Sequence, residues 1–343
     1  MDILSPPFER GLAVGRAGMI AGCVALAAVA TGAGAAGAGA VGAGAVGAPR
    51  TSPAPPPADL TGTWTNAWYT DLQRPKDFKA LVTTPAEAEA YEAPRRALNG
   101  MIVDKDDELG QAASEFNDKG PGLARIRGEI RTSWITDPAD GKVPFTQEAK
   151  ARLRIGKEPV ETYDNVEDRP TDERCLTARG AGAPILNSPD TNLIQIVQTP
   201  GDIVIVSEKN HDARVILMGP PPPAWAPRDW MGVSLGRWRG KTLVVETTGR
   251  RPGVTRVGGL SLSDRGRVVE EFTRTGPAEI TYRIHVEDTT LYTRPWRAEI
   301  TFRPAGRMYE VACHEGNYSL PSILSAARQA EAAGGKGEAK GTP

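Results

Sequence analysis

Glu279-Ile-Thr-Tyr-Arg-Ile-His-Val-Glu287 alternates apolar and polar side chains without a break: Ile280, Tyr282, Ile284 and Val286 against Thr281, Arg283, His285 and Glu287. Successive side chains of an extended chain leave opposite faces, so a period of two predicts a strand with one dry and one wet face. Trp296, Ala298, Ile300 and Phe302 against Arg297, Glu299, Thr301 and Arg303 repeat the pattern. Half-wet strands in succession belong to an antiparallel sheet or barrel, because parallel sheets are covered on both faces.

Strand-like runs recur on either side of these two, at 192–198, 202–208, 213–218, 234–239, 242–248, 267–274 and 308–313. Thr199-Pro-Gly-Asp202 and Gly240-Lys241 have tight-turn composition. Ile203-Val-Ile-Val206 is apolar on both faces, which predicts a cover such as the helices of residues 84–155. Upstream, Leu60-Thr-Gly-Thr-Trp-Thr65 reads as the first strand. Thr84-Pro-Ala-Glu87 is a capping box with proline at the first helical position, opening a helix to about Asn99. Ile130 to Ile135 leads into Asp137-Pro-Ala-Asp-Gly141, which has hairpin-turn chemistry. Thr146 to Ile155 reads as a short helix and 156–191 as loop. The expected fold is mainly β: an antiparallel meander or β-barrel with a helical insert near the N-terminus. A short C-terminal helix from Ser319 to about Arg328 is expected to plug or pack against it.

Residues 1–48 read as a signal peptide and Ala/Gly-rich leader. Arg10 and Arg16 precede the apolar run Met19 to Ala30, and Ala-x-Ala-like cleavage options follow. The run is short for a bilayer span, which needs roughly 20 apolar residues. An uncleaved anchor and a lipoprotein box at Ile20-Ala-Gly-Cys23 are the alternatives. Each places the rest of the chain outside the cytoplasm, periplasmic or secreted, with membrane contact only through an uncleaved leader. Residues 49–59 form a Pro-rich linker and 60–331 a single β-rich domain with a partly helical insert at 84–155. The Gly-, Lys- and Glu-rich stretch 332–343 has too little apolar surface to fold.

Lys and Arg number 41 against 42 Asp and Glu, a net charge of -1 with no basic run. That balance excludes nucleic acid as a partner. Outside the leader two cysteines remain, Cys175 and Cys313. In an oxidising compartment they read most simply as a disulfide, worth about 4–5 kcal/mol by loop closure. One reactive and one buried thiol is the alternative. The spacings of His211, His285 and His314 match no ligand motif, so neither a metal nor a cofactor is expected. Neither a nucleophile elbow nor a phosphate-cradling glycine loop is present.

If consecutive strands pair in order, connections alternate between the two barrel ends. Residues 219–233, 249–266, 288–295 and the phrase Ala312-Cys-His-Glu-Gly-Asn-Tyr318 then share the end of Pro200-Gly201. That end carries Trp225, Trp230, Arg250, Tyr292, Arg294, Asn317 and Tyr318, the aromatic and polar makeup of a small-molecule mouth. Glu208, His211 and Asp212 fall at the opposite end, where a salt-bridged turn with Arg214 is expected. Two functions are open. One is a barrel binding a small, largely apolar molecule. The other is an enzyme (a lyase, isomerase or hydrolase) using His314 and Glu315 as acid and base in the same pocket.

Arg131-Thr-Ser-Trp-Ile-Thr-Asp-Pro-Ala-Asp-Gly-Lys-Val-Pro144, Glu173-Arg-Cys-Leu176, His211-Asp-Ala-Arg214, Gly236-Arg-Trp-Arg-Gly-Lys-Thr-Leu-Val-Val-Glu-Thr-Thr248 and the 312–318 phrase together resemble a family of exported, uncharacterised bacterial proteins. The likeness covers most of residues 60–328 and implies no activity. Gly62-Thr-Trp64 on a first strand resembles the opening of lipocalin-type barrels, from which the helical insert departs.

Overall fold

The computed structural model describes residues 58–103, 120–152, 163, 165–169, 174–177, 182–187, 192–199, 201–223, 229–251, 254–257 and 260–333. All lie in the unit Pro53–Pro343. The expected leader lies outside the described residues, as do most of the linker and nearly all of the tail.

The first described element is β1 (Gly62–Thr65). An insert follows: β2 (Val82–Thr83), α1 (Pro85–Val103), β3 (Arg125–Ile126), β4 (Glu129–Arg131), β5 (Ile135–Asp137) and α2 (Gln147–Arg152). Next come β6 (Leu193–Gln198), β7 (Asp202–Ser207), β8 (Ala213–Leu217), β9 (Val233–Arg239) and β10 (Thr242–Thr248). The ribbon β11 (Val254–Val257) and β12 (Leu260–Ser263) precedes β13 (Arg267–Gly276), β14 (Glu279–Glu287), β15 (Trp296–Pro304) and α3 (Ser319–Ala332).

Nine strands close a barrel in the order β1-β6-β7-β8-β9-β10-β13-β14-β15 and back to β1. Closure leaves the ring without a free edge. The far side of β15 is shared: β5 pairs with Arg297 and Ala298, while β1 pairs with Arg303 and Pro304. The alternation that predicted strands is realised, since Ile280, Tyr282, Ile284 and Val286 are all buried. Phe272, Tyr282 and Phe302 meet inside, with ring centroids 4.8 to 6.5 Å apart. The outer face is drier than its polar residues suggest. Glu299 and Thr301 are buried there, and the β3–β4 hairpin reaches Glu299 through Arg127 and Arg131.

The capping box forms as read. Thr84 Oγ1 accepts from Glu87 N, and Glu87 Oε2 accepts from Thr84 N. Tyr91 of α1 then packs with Leu123 and Ile130 in a small core of its own. Asp137 to Gly141 does turn, with Gly141 N donating to Pro138 O. It joins no hairpin, because the chain continues through Val143 to α2. Val204 and Val206 stay half-buried and so lack the complete cover their composition predicted. The strand expected at 308–313 reduces to one bridge, Val311 to Lys209. Helix α3 has no buried residue, so it neither plugs the barrel nor packs firmly on it.

The barrel departs from a pure antiparallel meander at one place: β8 and β9 run parallel. Residues 220–223 are four consecutive prolines, which favour an extended chain rising about 3.1 Å per residue. A connection of this length returns to the starting end instead of turning back, as a parallel pair requires. Every later connection is thereby reversed. The upper end, at the β6–β7 turn, holds the short turns at 240–241 and 277–278. The lower end, at the β7–β8 turn, collects 249–266 and 288–295. Asn210 and His211, at φ 59° and 52°, make that lower turn tight.

Candidate functional site

Three regions concentrate chemistry. The first is the upper mouth, an open cleft of about 650 Å³ lined by Gln198, Thr199, Ile203, Met218, Gly236, Arg237 and Trp238. Ile203 is buried, and Met218 and Trp238 pack against the core from half-buried positions. Strand alternation on β9 turns Ser234, Gly236 and Trp238 to the same side, and Ser234 bonds Thr247 in the interior. Gly236 is needed for space: a Cβ there would stand 2.5 Å from Met218 Sδ and 2.6 Å from Ile216 Cγ2. The mouth is apolar on its walls, with Gln198 and Arg237 as polar groups beside them. Gln198 Oε1 already accepts from Leu60 N at 3.2 Å.

The second region lies inside the barrel. Arg214 and Glu270 form a two-bonded ion pair at 2.8 and 3.2 Å, with side chains 2 % and 0 % exposed. Tyr282 donates to Glu270 Oε1 at 2.6 Å and accepts from Ile185 N at 2.9 Å. Burial, followed by the Glu270 charge, pushes the Tyr282 phenol well above its ordinary range. Among the described residues Arg214 Nε has no hydrogen-bond partner. The salt-bridged turn expected from Glu208, His211, Asp212 and Arg214 therefore does not form. Arg214 sits on the inward parity of β8 and finds its carboxylate on β13.

The third region is the 312–318 phrase. Cys313 bonds Cys175, with an S–S distance of 2.03 Å and a Cα separation of 5.7 Å. Glu208 Oε1 accepts from Tyr309 N at 2.8 Å, and Thr177 donates to Asp212 at 3.4 Å. These contacts fasten residues 305–313 to the β7–β8 turn, so the phrase shares the end of Glu208 and Asp212 rather than lying opposite them. His314 and Glu315 are exposed in the turn that follows Cys313. Asn317 Nδ2 donates to Cys175 Sγ at 3.2 Å, while Tyr318 is 77 % exposed.

The other residues of the expected mouth gather at the lower end in different states. Arg250 is buried, donating to Ala183 O at 2.7 Å and Gly266 O at 3.3 Å. Burial lowers its pKa to about 10, against the pull of Glu270. Tyr292 is buried against Phe145 and Trp296. Arg294 is exposed and paired with Asp137. Trp230 has the guanidinium carbons of Arg251 and Arg174 at 4.8 and 5.9 Å from its ring. Trp225 lies outside the described residues. Among the described residues no group of three or more His, Cys, Asp or Glu is placed to hold a metal.

Ile203, Met218, Gly236 and Trp238 were not among the residues expected at the mouth. The glycine at an inward position of β9 was the available signal, because a strand glycine marks close approach. No family model, curated protein or solved structure matches this chain.

Proposed function

We propose that this protein binds a small, largely apolar molecule in the upper mouth of its barrel. One observation carries the reading: an open cleft of about 650 Å³ with Ile203, Met218 and Trp238 in its walls, where Met218 packs so closely over Gly236 that no side chain fits there. Ligand sites are typically clefts of about 300–1,000 Å³ lined by apolar and aromatic side chains with a few polar groups. Arg237 and Thr199 supply such groups here. The Cys175–Cys313 disulfide supports work outside the cytoplasm, where such bonds persist. The resemblance of several phrases to exported bacterial proteins points to the same compartment.

The test uses the full chain and the apolar dye N-phenyl-1-naphthylamine, read by fluorescence. Saturable binding is expected. Met218→Lys, which puts an ammonium into the mouth from a half-buried position, should weaken it at least tenfold, or about 1.4 kcal/mol. His314→Ala should shift it less than about twofold, being absent from the mouth. Unaltered dye affinity in folded Met218→Lys sinks the proposal.

A further inference from the structure

A second cleft, of about 600 Å³, lies on the outer face of β13, β14 and β15 beside the β3–β4 hairpin. Its lining carries four guanidiniums, from Arg127, Arg131, Arg283 and Arg297, and the imidazole of His285, against two carboxylates, Glu271 and Glu299. The carboxylates are oversubscribed. Glu299 accepts from Arg127 at 2.9 and 2.7 Å, from Arg283 at 2.9 Å and from Arg131 at 3.4 Å. Glu271 is held by Arg239 at 2.6 Å. Arg131, 6 % exposed at its side chain, also pairs with Glu129 outside the lining at 2.9 Å, and its Nε has no hydrogen-bond partner among the described residues. Arg297 has no ion pair or side-chain hydrogen bond among the described residues. It stands directly across from His285 on the same outward parity.

A positive excess directed into a cleft is the arrangement that receives an oxyanion. Planar guanidinium forks match carboxylate and phosphate geometry two bonds at a time, and partial desolvation strengthens each bond. Leu81 and Val269 on the same walls offer apolar contact to a short carbon skeleton. We infer that this outer cleft binds a small molecule bearing a compact dianion, a phosphate monoester or a dicarboxylate, with Arg297 as its principal contact beside His285. The site shares no lining residue with the upper mouth. Arg127 and Arg131 fix the hairpin to Glu299. Arg297 is the guanidinium left to a ligand.

Calorimetric titration of the full chain with inorganic phosphate and, separately, with succinate tests this, with chloride at matched ionic strength as baseline. A saturable heat from at least one dianion is expected. Stronger binding of phosphate would assign phosphate monoesters, and stronger binding of succinate would assign dicarboxylates. Arg297→Gln, at an exposed position, should weaken binding at least tenfold, which is about 1.4 kcal/mol. Arg294→Gln, outside the lining, should leave it within about twofold. Heats no larger than those of chloride, or equal affinity in Arg297→Gln, would overturn the inference.

Discussion

Glu270 holds two buried partners at once, neutralising Arg214 and accepting from the Tyr282 hydroxyl. Removing one partner of a buried pair leaves the other charge desolvated and unpaired. Glu270→Ala should therefore cost about 3–5 kcal/mol in urea unfolding. Arg214→Met with Glu270→Leu should recover most of that loss, since both charges leave together. On the outer face Glu299 behaves as a pH-dependent tether. Burial alone would raise its pKa, but the guanidiniums of Arg127 and Arg283 hold it below the ordinary value. A depressed carboxyl contributes stability that is complete above its unfolded value, about 4.3, and that disappears as pH falls through the lower folded value. Melting temperature should fall on acidification below about pH 4.5, and Glu299→Gln should flatten that fall. Neither partnership was legible beforehand. Alternation gives the face of a residue but not its partner, and Arg214 was read with its sequence neighbours, whereas its carboxylate lies 56 positions away.

Elements with strong local signals were read correctly: the strands through 279–287 and 296–303, and the capped start of α1 at Pro85. Elements whose form depends on distant contacts were not. Residues 308–313 look like a strand, yet among the described residues their only ladder partner is Lys209, and α3 has apolar residues none of which is buried. The segment 305–313 is held by Ala305 N on Thr63 O, by Tyr309 N on Glu208 and by the Val311–Lys209 bridge, and at its end covalently by the disulfide to Cys175. That bond closes a separation of 138 residues, spanning β6 through β15. Cys175→Ser with Cys313→Ser should lower unfolding free energy by roughly 4–5 kcal/mol in urea. Limited proteolysis should then cut first within 305–318.

At the scale of the molecule, composition and periodicity were enough for a barrel but not for its handling of direction. The proline run at 220–223 was visible, yet strand parity treated that connection as one more turn between antiparallel neighbours. Closure itself is uneven. The β1–β15 ladder pairs only Trp64 and Thr65 of β1, whereas β13 and β14 stay in register from Arg267 to Arg274. Hydrogen exchange should accordingly find the amides of β1 least protected in the ring and those of β13 and β14 most protected.

The single parallel pair follows from arithmetic as much as from proline. Walking once around any closed ring of strands must return to the starting direction, so the number of reversals is even. A ring of nine cannot reverse at every junction. One pair of like-directed neighbours is compulsory, and what this chain selects is only its location. By setting it between β8 and β9, the sequence leaves the upper rim with short turns and an open mouth, and sends its longest later loops to the other rim.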